Sequence, residues 1–258
     1  MKIIAVANQK GGVGKTTTAV NASACLAERG KRTLVVDSDP QGNTSSGLGI
    51  DRKAAKKTIY DVLVNNEGIK DCITRTKWDN LDICPSSIQL SGAEIELVSV
   101  AEREFRLKNA LAAVAGEYDF VLIDCPPSLG LITLNALAAA NTVLIPIQCE
   151  YYALEGLSQL TATIKQVRRG INPDLEIEGA LLTMFDARTN LSIEVVEEVK
   201  RALPQKVCAT VIPRNVRLSE APSFGEPIVV YDANSKGAMC YRALAAELVE
   251  KNRGEVNG

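Results

Sequence analysis

The sequence predicts an α/β fold with a single doubly wound, mostly parallel sheet and helices on both faces. Three observations predict it. Short β-type apolar runs alternate with longer stretches of helical apolar spacing, the order that gives parallel strands joined by crossover helices. Two of the runs, at residues 32–36 and 120–123, lead straight into an aspartate. Ligands of open α/β sheets sit just past the carboxyl ends of strands. Apolar residues make up 46% of the 258, enough for a sheet buried on both faces.

Composition narrows the class further. The length suits one large α/β domain or two small ones, and no repeat, low-complexity segment or Pro/Ser linker divides it. Residues 1–258 are therefore expected to form a single domain. The net charge of −2 gives no overall basic character, so any nucleic-acid contact must come from a local patch. There is no histidine, which removes histidine triads and histidine metal ligands. The seven cysteines form no C-x-x-C and suggest a reducing, cytoplasmic setting. Met1 leads directly into an apolar run, so no signal peptide is expected. No stretch approaches the roughly 18 consecutive apolar residues of a membrane span.

The elements follow in order. Residues 2–7 read as a buried strand. Asn8-Gln9-Lys10-Gly11-Gly12-Val13-Gly14-Lys15-Thr16-Thr17-Thr18 comes next, and residues 17–29 read as a helix stopped by Gly30. Strand, glycine loop, helix is the setting of a phosphate-binding loop. Gly11, Gly12, Val13, Gly14, Lys15, Thr16 and Thr17 would cradle phosphates through backbone N–H groups and the positive end of the helix. Lys15 would reach the β/γ oxygens and Thr16 would hold Mg²⁺. A dinucleotide reading fails because Thr17 stands where G-x-G-x-x-G needs its third glycine.

The strand at 32–36 ends in Asp37-Ser38-Asp39-Pro40-Gln41-Gly42-Asn43. Alone, those aspartates better suit a capped turn before Pro40; beside a phosphate loop they read as site residues. Residues 44–80 are mixed, with a short helix near 59–64. Thr76-Lys77-Trp78-Asp79 fits the guanine motif Asn/Thr-Lys-x-Asp, but it precedes the strand at 120–124 instead of following it. It reads as a chance match in a surface loop. Residues 81–85 form a strand, and 88–115 carry two helices. The run Phe120–Asp124 has the Walker B form, with Asp124 near Mg²⁺. Strands at 142–147, 177–184 and 207–212 alternate with helices at 153–169 and 191–203, and a helix at 235–251 closes the chain.

The usual phosphate loop, G-x-x-x-x-G-K-S/T, has glycine where this chain has Gln9, and a second lysine, Lys10, stands beside the glycines. This K-G-G-x-G-K-S/T form is the deviant Walker A motif of P-loop NTPases, and it resembles the family of ParA, MinD, ArsA and the nitrogenase iron protein. The segment at 37–43 is similar to the family's second motif at every position, and Cys125-Pro126-Pro127-Ser128-Leu129-Gly130 resembles its switch II. Three further stretches, 148–156, 182–189 and 211–222, look like ParA/Soj-type chromosome and plasmid partition ATPases. The resemblance covers essentially the whole chain.

It implies ATP and Mg²⁺ as ligands and hydrolysis of ATP to ADP and phosphate with slow basal turnover. Asp39 would position the attacking water, with Thr16 and Asp124 on Mg²⁺ and Asp37 supporting that shell. Pro213, Arg214 and Asn215 would lie near the adenine. Lys10, redundant within one subunit, would touch the partner's nucleotide across an ATP-dependent homodimer; the plainer reading is a solvated lysine. Members of this kind bind double-stranded DNA without sequence preference and are released when a ParB-like protein stimulates hydrolysis. They are cytoplasmic and nucleoid-associated, with no membrane anchor. Residues 199–219 contain no acid and hold Lys200, Arg201 and Arg217, and Lys165, Arg168 and Arg169 lie in a second acid-free stretch. The resemblance implies a basic DNA surface spread across the dimer, which makes Arg188 and Arg217 the first DNA candidates, with Lys200 and Arg201 beside them. MinD-like positioning and metal or cluster trafficking are the alternatives on the same scaffold. Against the first, residues 247–258 hold only Leu248, Val249 and Val256 as bulky apolar side chains. Against the second, Cys125 has no second cysteine in a matching context and reads as a small core residue.

Overall fold

A computed structural model describes residues 1–150 and 153–256. In chain order it contains β1 (Lys2–Val6), α1 (Lys15–Glu28), β2 (Thr33–Asp37), α2 (Asn43–Gly47), α3 (Ile59–Leu63), α4 (Ile69–Cys72), β3 (Thr74–Arg75) and β4 (Leu81–Cys84). Then follow α5 (Leu90–Glu96), α6 (Arg106–Ala112), β5 (Phe120–Asp124), α7 (Leu131–Ala139), β6 (Thr142–Gln148), α8 (Ala153–Gly170) and β7 (Glu176–Phe185). The chain ends with α9 (Asn190–Ala202), β8 (Val207–Pro213), α10 (Val216–Glu220), α11 (Ile228–Tyr231), α12 (Lys236–Lys251) and α13 (Arg253–Val256).

Among the described residues the strands form one eight-stranded sheet in the order β3-β4-β2-β5-β1-β6-β7-β8. Every pairing is parallel except β3 with β4, where Thr74 opposes Ile83. The expected doubly wound sheet is therefore present, with one short antiparallel strand at its edge. β1 lies between β5 and β6, with β2, β3, β4 and β5 laid down on one side of it and β6, β7 and β8 on the other. That is the switch point where α/β sheets open a crevice. Register then decides what lines the crevice. Val6 is level with Asp124, and Asp37 is level with Asp124, so the glycine loop and both aspartates emerge along one edge.

Period-2 alternation splits the core. Ile4, Phe120, Leu122 and Leu144 face α1 and α12, while Ala5, Val121, Ile123 and Ile145 face α6, α7 and α8. α1 is rich in alanine, and its small side chains allow it to sit close to the strands beneath α12. Tyr241 of α12 is fully buried there, its hydroxyl 3.3 Å from Thr18 Oγ1. Ser235 caps α12, accepting from the Ala238 N–H at 3.1 Å.

Two elements lack a sequence signal for physical reasons. α7 is apolar on all sides because it is buried on nearly all sides, so it has no polar face to set a helical period. α2 is five residues long, too short for periodicity to register. Tyr151 and Tyr152 of the 148–156 stretch lie outside the described residues.

Candidate functional site

The glycine loop is built as a cradle. Gly12 and Gly14 have φ of 75° and 90°, a left-handed region that side chains with a Cβ avoid, and Gly14 forms the N-cap of α1. Three hydrogen bonds hold the loop from below. Asn8 Nδ2 donates to Pro146 O at 2.8 Å, Asn8 Oδ1 accepts from Lys10 N at 3.0 Å, and Thr183 Oγ1 donates to Val13 O at 2.8 Å. Lys15 is buried and folds back over the loop, donating from Nζ to Lys10 O at 3.1 Å. Burial lowers its pKa, opposed by the attraction of Asp124 and Asp39. A buried ammonium held this way suits an anion arriving over the loop.

Asp124 has no solvent exposure. Its Oδ2 accepts from Thr16 Oγ1 at 2.8 Å and Thr44 Oγ1 at 2.6 Å, whereas Oδ1 is buried without a partner among the described residues. Burial pushes its pKa up to about 7, with repulsion from Asp37 adding to the rise and the two threonine hydrogen bonds opposing it. An orphaned carboxylate oxygen beside two hydroxyls is a hard oxygen donor set, and it fits Mg²⁺.

Asp37 is equally buried, and its carboxylate is occupied. Oδ2 accepts from Ser45 N at 2.7 Å and Ser45 Oγ at 2.6 Å, and Oδ1 accepts from Asp39 N at 3.3 Å. Its pKa rises to about 6, through burial above all. Asp37 thus braces the loop and α2. Asp39, 8% exposed, accepts from Gln41 N at 2.9 Å. Thr44 and Ser45 are site residues that sequence reasoning missed. Their one signal is position, immediately after the 37–43 motif.

Lys10 lies at the mouth of the site, its Nζ 3.9 Å from Glu150 Oε2. Glu150 also receives Gln148 Nε2 at 2.5 Å and stands 3.7 Å from Arg214 Nη2. Beside Gly14 and Thr17 opens a cavity of about 360 Å³ whose walls include Met184, Pro213, Arg214 and Asn215. Met184 has φ of 51°, a costly backbone for a side chain of that size and one found at functional sites. Thr76 to Asp79 enter β4 from the opposite edge of the sheet and lie far from this cavity. Cys125 is fully buried and its thiol pKa is pushed far up by burial, in keeping with a core role.

The four basic candidates are exposed, but each has an acidic companion. Arg188 chelates Asp186, whose carboxyl is held well below the usual range by that contact. Arg217 pairs with Glu220 at 2.9 Å and Asp232 at 3.5 Å. Lys200 pairs with Glu197 at 3.2 Å, and Arg201 with Glu198. Lys165, Arg168 and Arg169 on α8 are exposed and form no ion pair among the described residues.

Strand, glycine cradle, buried lysine and a Thr–Asp oxygen pair on one sheet edge define a P-loop ATPase with a deviant Walker A loop. The AAA domain family model matches residues 1–177. The chain is 61% identical over 247 residues to the sporulation initiation inhibitor protein Soj of Bacillus subtilis, covering 96% of this chain and 98% of that protein. It is 57% identical over 251 residues to the chromosome partitioning protein ParA of Myxococcus xanthus, covering 97% and 89%. Among solved structures it superposes, with TM-score 0.86 and 40% identity, on a cobyrinic acid a,c-diamide synthase from Mycobacterium smegmatis with bound ADP and magnesium, covering 99% of this chain and 97% of that one. The chain belongs to the ParA/Soj family of chromosome-partition ATPases. Among the described residues no helix is long and apolar enough to cross a membrane.

Proposed function

We propose that the protein is an ATP-dependent DNA partition ATPase. Its ATP-bound dimer holds double-stranded DNA without sequence preference and lets go when a ParB-like partner stimulates hydrolysis. The observation that carries this reading is the gathering of Lys15, Thr16, Asp124 and Asp39 around the glycine cradle, with Lys10 at its mouth. Residues 1–258 act as one domain, in the cytoplasm and on the nucleoid.

The reaction is ATP + H₂O → ADP + phosphate. Backbone N–H groups of Gly11 to Thr17 bind the phosphate chain, and Lys15 neutralises the β/γ oxygens. Thr16 and Asp124 are the residues that would hold Mg²⁺, with Asp37 steadying the loop behind them through Ser45. When bound, Mg²⁺ screens the charge that develops between the β- and γ-phosphates. Asp39 orients the attacking water. The base enters the cavity bordered by Pro213, Arg214 and Asn215.

Lys10 acts in trans. In the monomer it faces Glu150 loosely and half-exposed, at a separation where a surface pair contributes little, so it is free to reach a partner's nucleotide. Sedimentation of the wild type with ATP should show dimers, while Lys10→Ala should remain monomeric and still bind ATP. Normal dimerisation of Lys10→Ala would remove the in-trans role.

DNA contact is assigned to the exposed basic side chains, with Arg188 and Arg217 foremost and Lys200 and Arg201 beside them. Each must exchange a carboxylate neighbour for a phosphate. Replacing Arg188 or Arg217 by Glu should weaken DNA retention on every sequence and reduce its salt slope by about 1 per lost contact, leaving ATP binding intact. Unchanged retention in both variants contradicts this assignment. A membrane-positioning role is disfavoured because both leucines of α12, Leu244 and Leu248, are buried in the core.

A further inference from the structure

We infer that Arg52 is a positioning residue for hydrolysis, pinning from outside the loop that carries Asp39. The inference rests on the role proposed above for Asp39. Asp39 to Gly42 form a tight turn, closed by Gly42 N donating to Asp39 O at 2.9 Å. The same turn presents the carbonyls of Pro40 and Gln41. Arg52 takes both of them. Its Nη2 donates to Pro40 O at 3.2 Å and its Nη1 to Gln41 O at 2.5 Å. Its Nε is buried without an acceptor, and Arg52 forms no ion pair with a carboxylate among the described residues. The guanidinium is therefore committed to the backbone of this loop.

Gly42 fits the arrangement in two ways. Its φ of 62° suits glycine, and a Cβ at that position would run into the Arg52 guanidinium. The fork has its own support. Arg52 sits on a turn in which Ala54 N donates to Asp51 O at 3.0 Å and Lys53 N donates to Asp51 Oδ1 at 3.0 Å. Ile50 N ties that turn to Ser45 O at 3.0 Å, and Ser45 in turn grips Asp37. Residues 37–52 thus form a closed ring with two fastenings. One is the buried Asp37–Ser45 pair beneath the sheet edge. The other is Arg52, on the Pro40 and Gln41 carbonyls. A planar fork holds two adjacent carbonyls in a fixed geometry, which a lysine ammonium on its flexible stem does not reproduce.

The consequence is positional. Phosphate binding depends on Gly11 to Thr17 and needs nothing from Arg52, whereas the water-orienting carboxylate moves with the loop. A displacement of about 1 Å at a reacting group can cost up to about a hundredfold in rate. Arg52→Ala should lower single-turnover hydrolysis by about tenfold or more with ATP affinity unchanged. Arg52→Lys should show the same loss. In an Asp39→Ala background, Arg52→Ala should slow the residual reaction no further, because its effect passes through Asp39.

The test measures single-turnover hydrolysis of γ-labelled ATP and ATP affinity for wild type, Arg52→Ala, Arg52→Lys, Asp39→Ala and the double variant Arg52→Ala/Asp39→Ala. Wild-type rates in Arg52→Ala beside a disabled Asp39→Ala overturn the inference alone. So does an equal slowing of both backgrounds, or loss of ATP affinity in step with rate. Wild-type turnover by Asp39→Ala overturns the role of Asp39 itself.

Discussion

Lys15→Ala should abolish ATP binding while leaving the fold intact. The ammonium is a buried cation over the cradle, and among the described residues its Nζ donates to the Lys10 carbonyl of the loop. Charge-assisted hydrogen bonds contribute roughly 1.5–3 kcal/mol each, and about 1.4 kcal/mol is a factor of ten. Losing contacts to both β- and γ-oxygens should weaken ATP on the order of 100-fold or more. The burial that lowers the Lys15 pKa already costs the nucleotide-free protein free energy, so removing the charge should not lower its melting temperature. A titration checks affinity, and thermal unfolding without nucleotide checks the fold. The wild type should prefer ATP to GTP, since the guanine-like segment at 76–79 lies on the far edge of the sheet. Equal affinities for the two nucleotides would contradict the base site proposed at Pro213 to Asn215.

Asp39→Ala should separate binding from chemistry. Asp39 shares no hydrogen bond with Lys15, Thr16 or Asp124; its carboxylate accepts from Gln41 N in its own loop. ATP affinity should therefore stay within a few-fold of wild type. A residue that orients or deprotonates the attacking water contributes about 10²–10⁴ in rate, so hydrolysis should fall by that order with or without the stimulating partner. Phosphate release under saturating ATP measures it. The neighbouring Asp37 makes an instructive contrast. It is the more buried and the more hydrogen-bonded of the two, and its replacement should damage the loop itself through the lost grip on Ser45.

How much of this was legible in the sequence follows from how local each contact is. The cradle was readable because strand, glycines, lysine and helix start are contiguous. Asp124 was readable because a β-type run ends on it and parallel strands align their carboxyl ends. Thr44, Ser45 and Arg52 were not, because they act through single hydrogen bonds from a non-periodic segment folded across the site. α7 was missed because full burial removes amphipathic spacing. The basic stretch at 199–219 looked free of acid, yet Glu197, Glu198 and Glu220 border it and fold back at helical spacing onto Lys200, Arg201 and Arg217. A linear window cannot register that neutralisation.

In the proposed function, ATP holds the protein on DNA and hydrolysis lets it go. The most direct measurement loads wild type and Asp39→Ala onto non-specific DNA with ATP and Mg²⁺, withdraws the nucleotide, and follows dissociation with and without the stimulating ParB-like partner. The wild type should leave slowly alone and quickly with the partner, whereas Asp39→Ala should load normally and stay bound in both cases. Dissociation of Asp39→Ala as fast as the partner-stimulated wild type would contradict the account, because release would then not depend on hydrolysis.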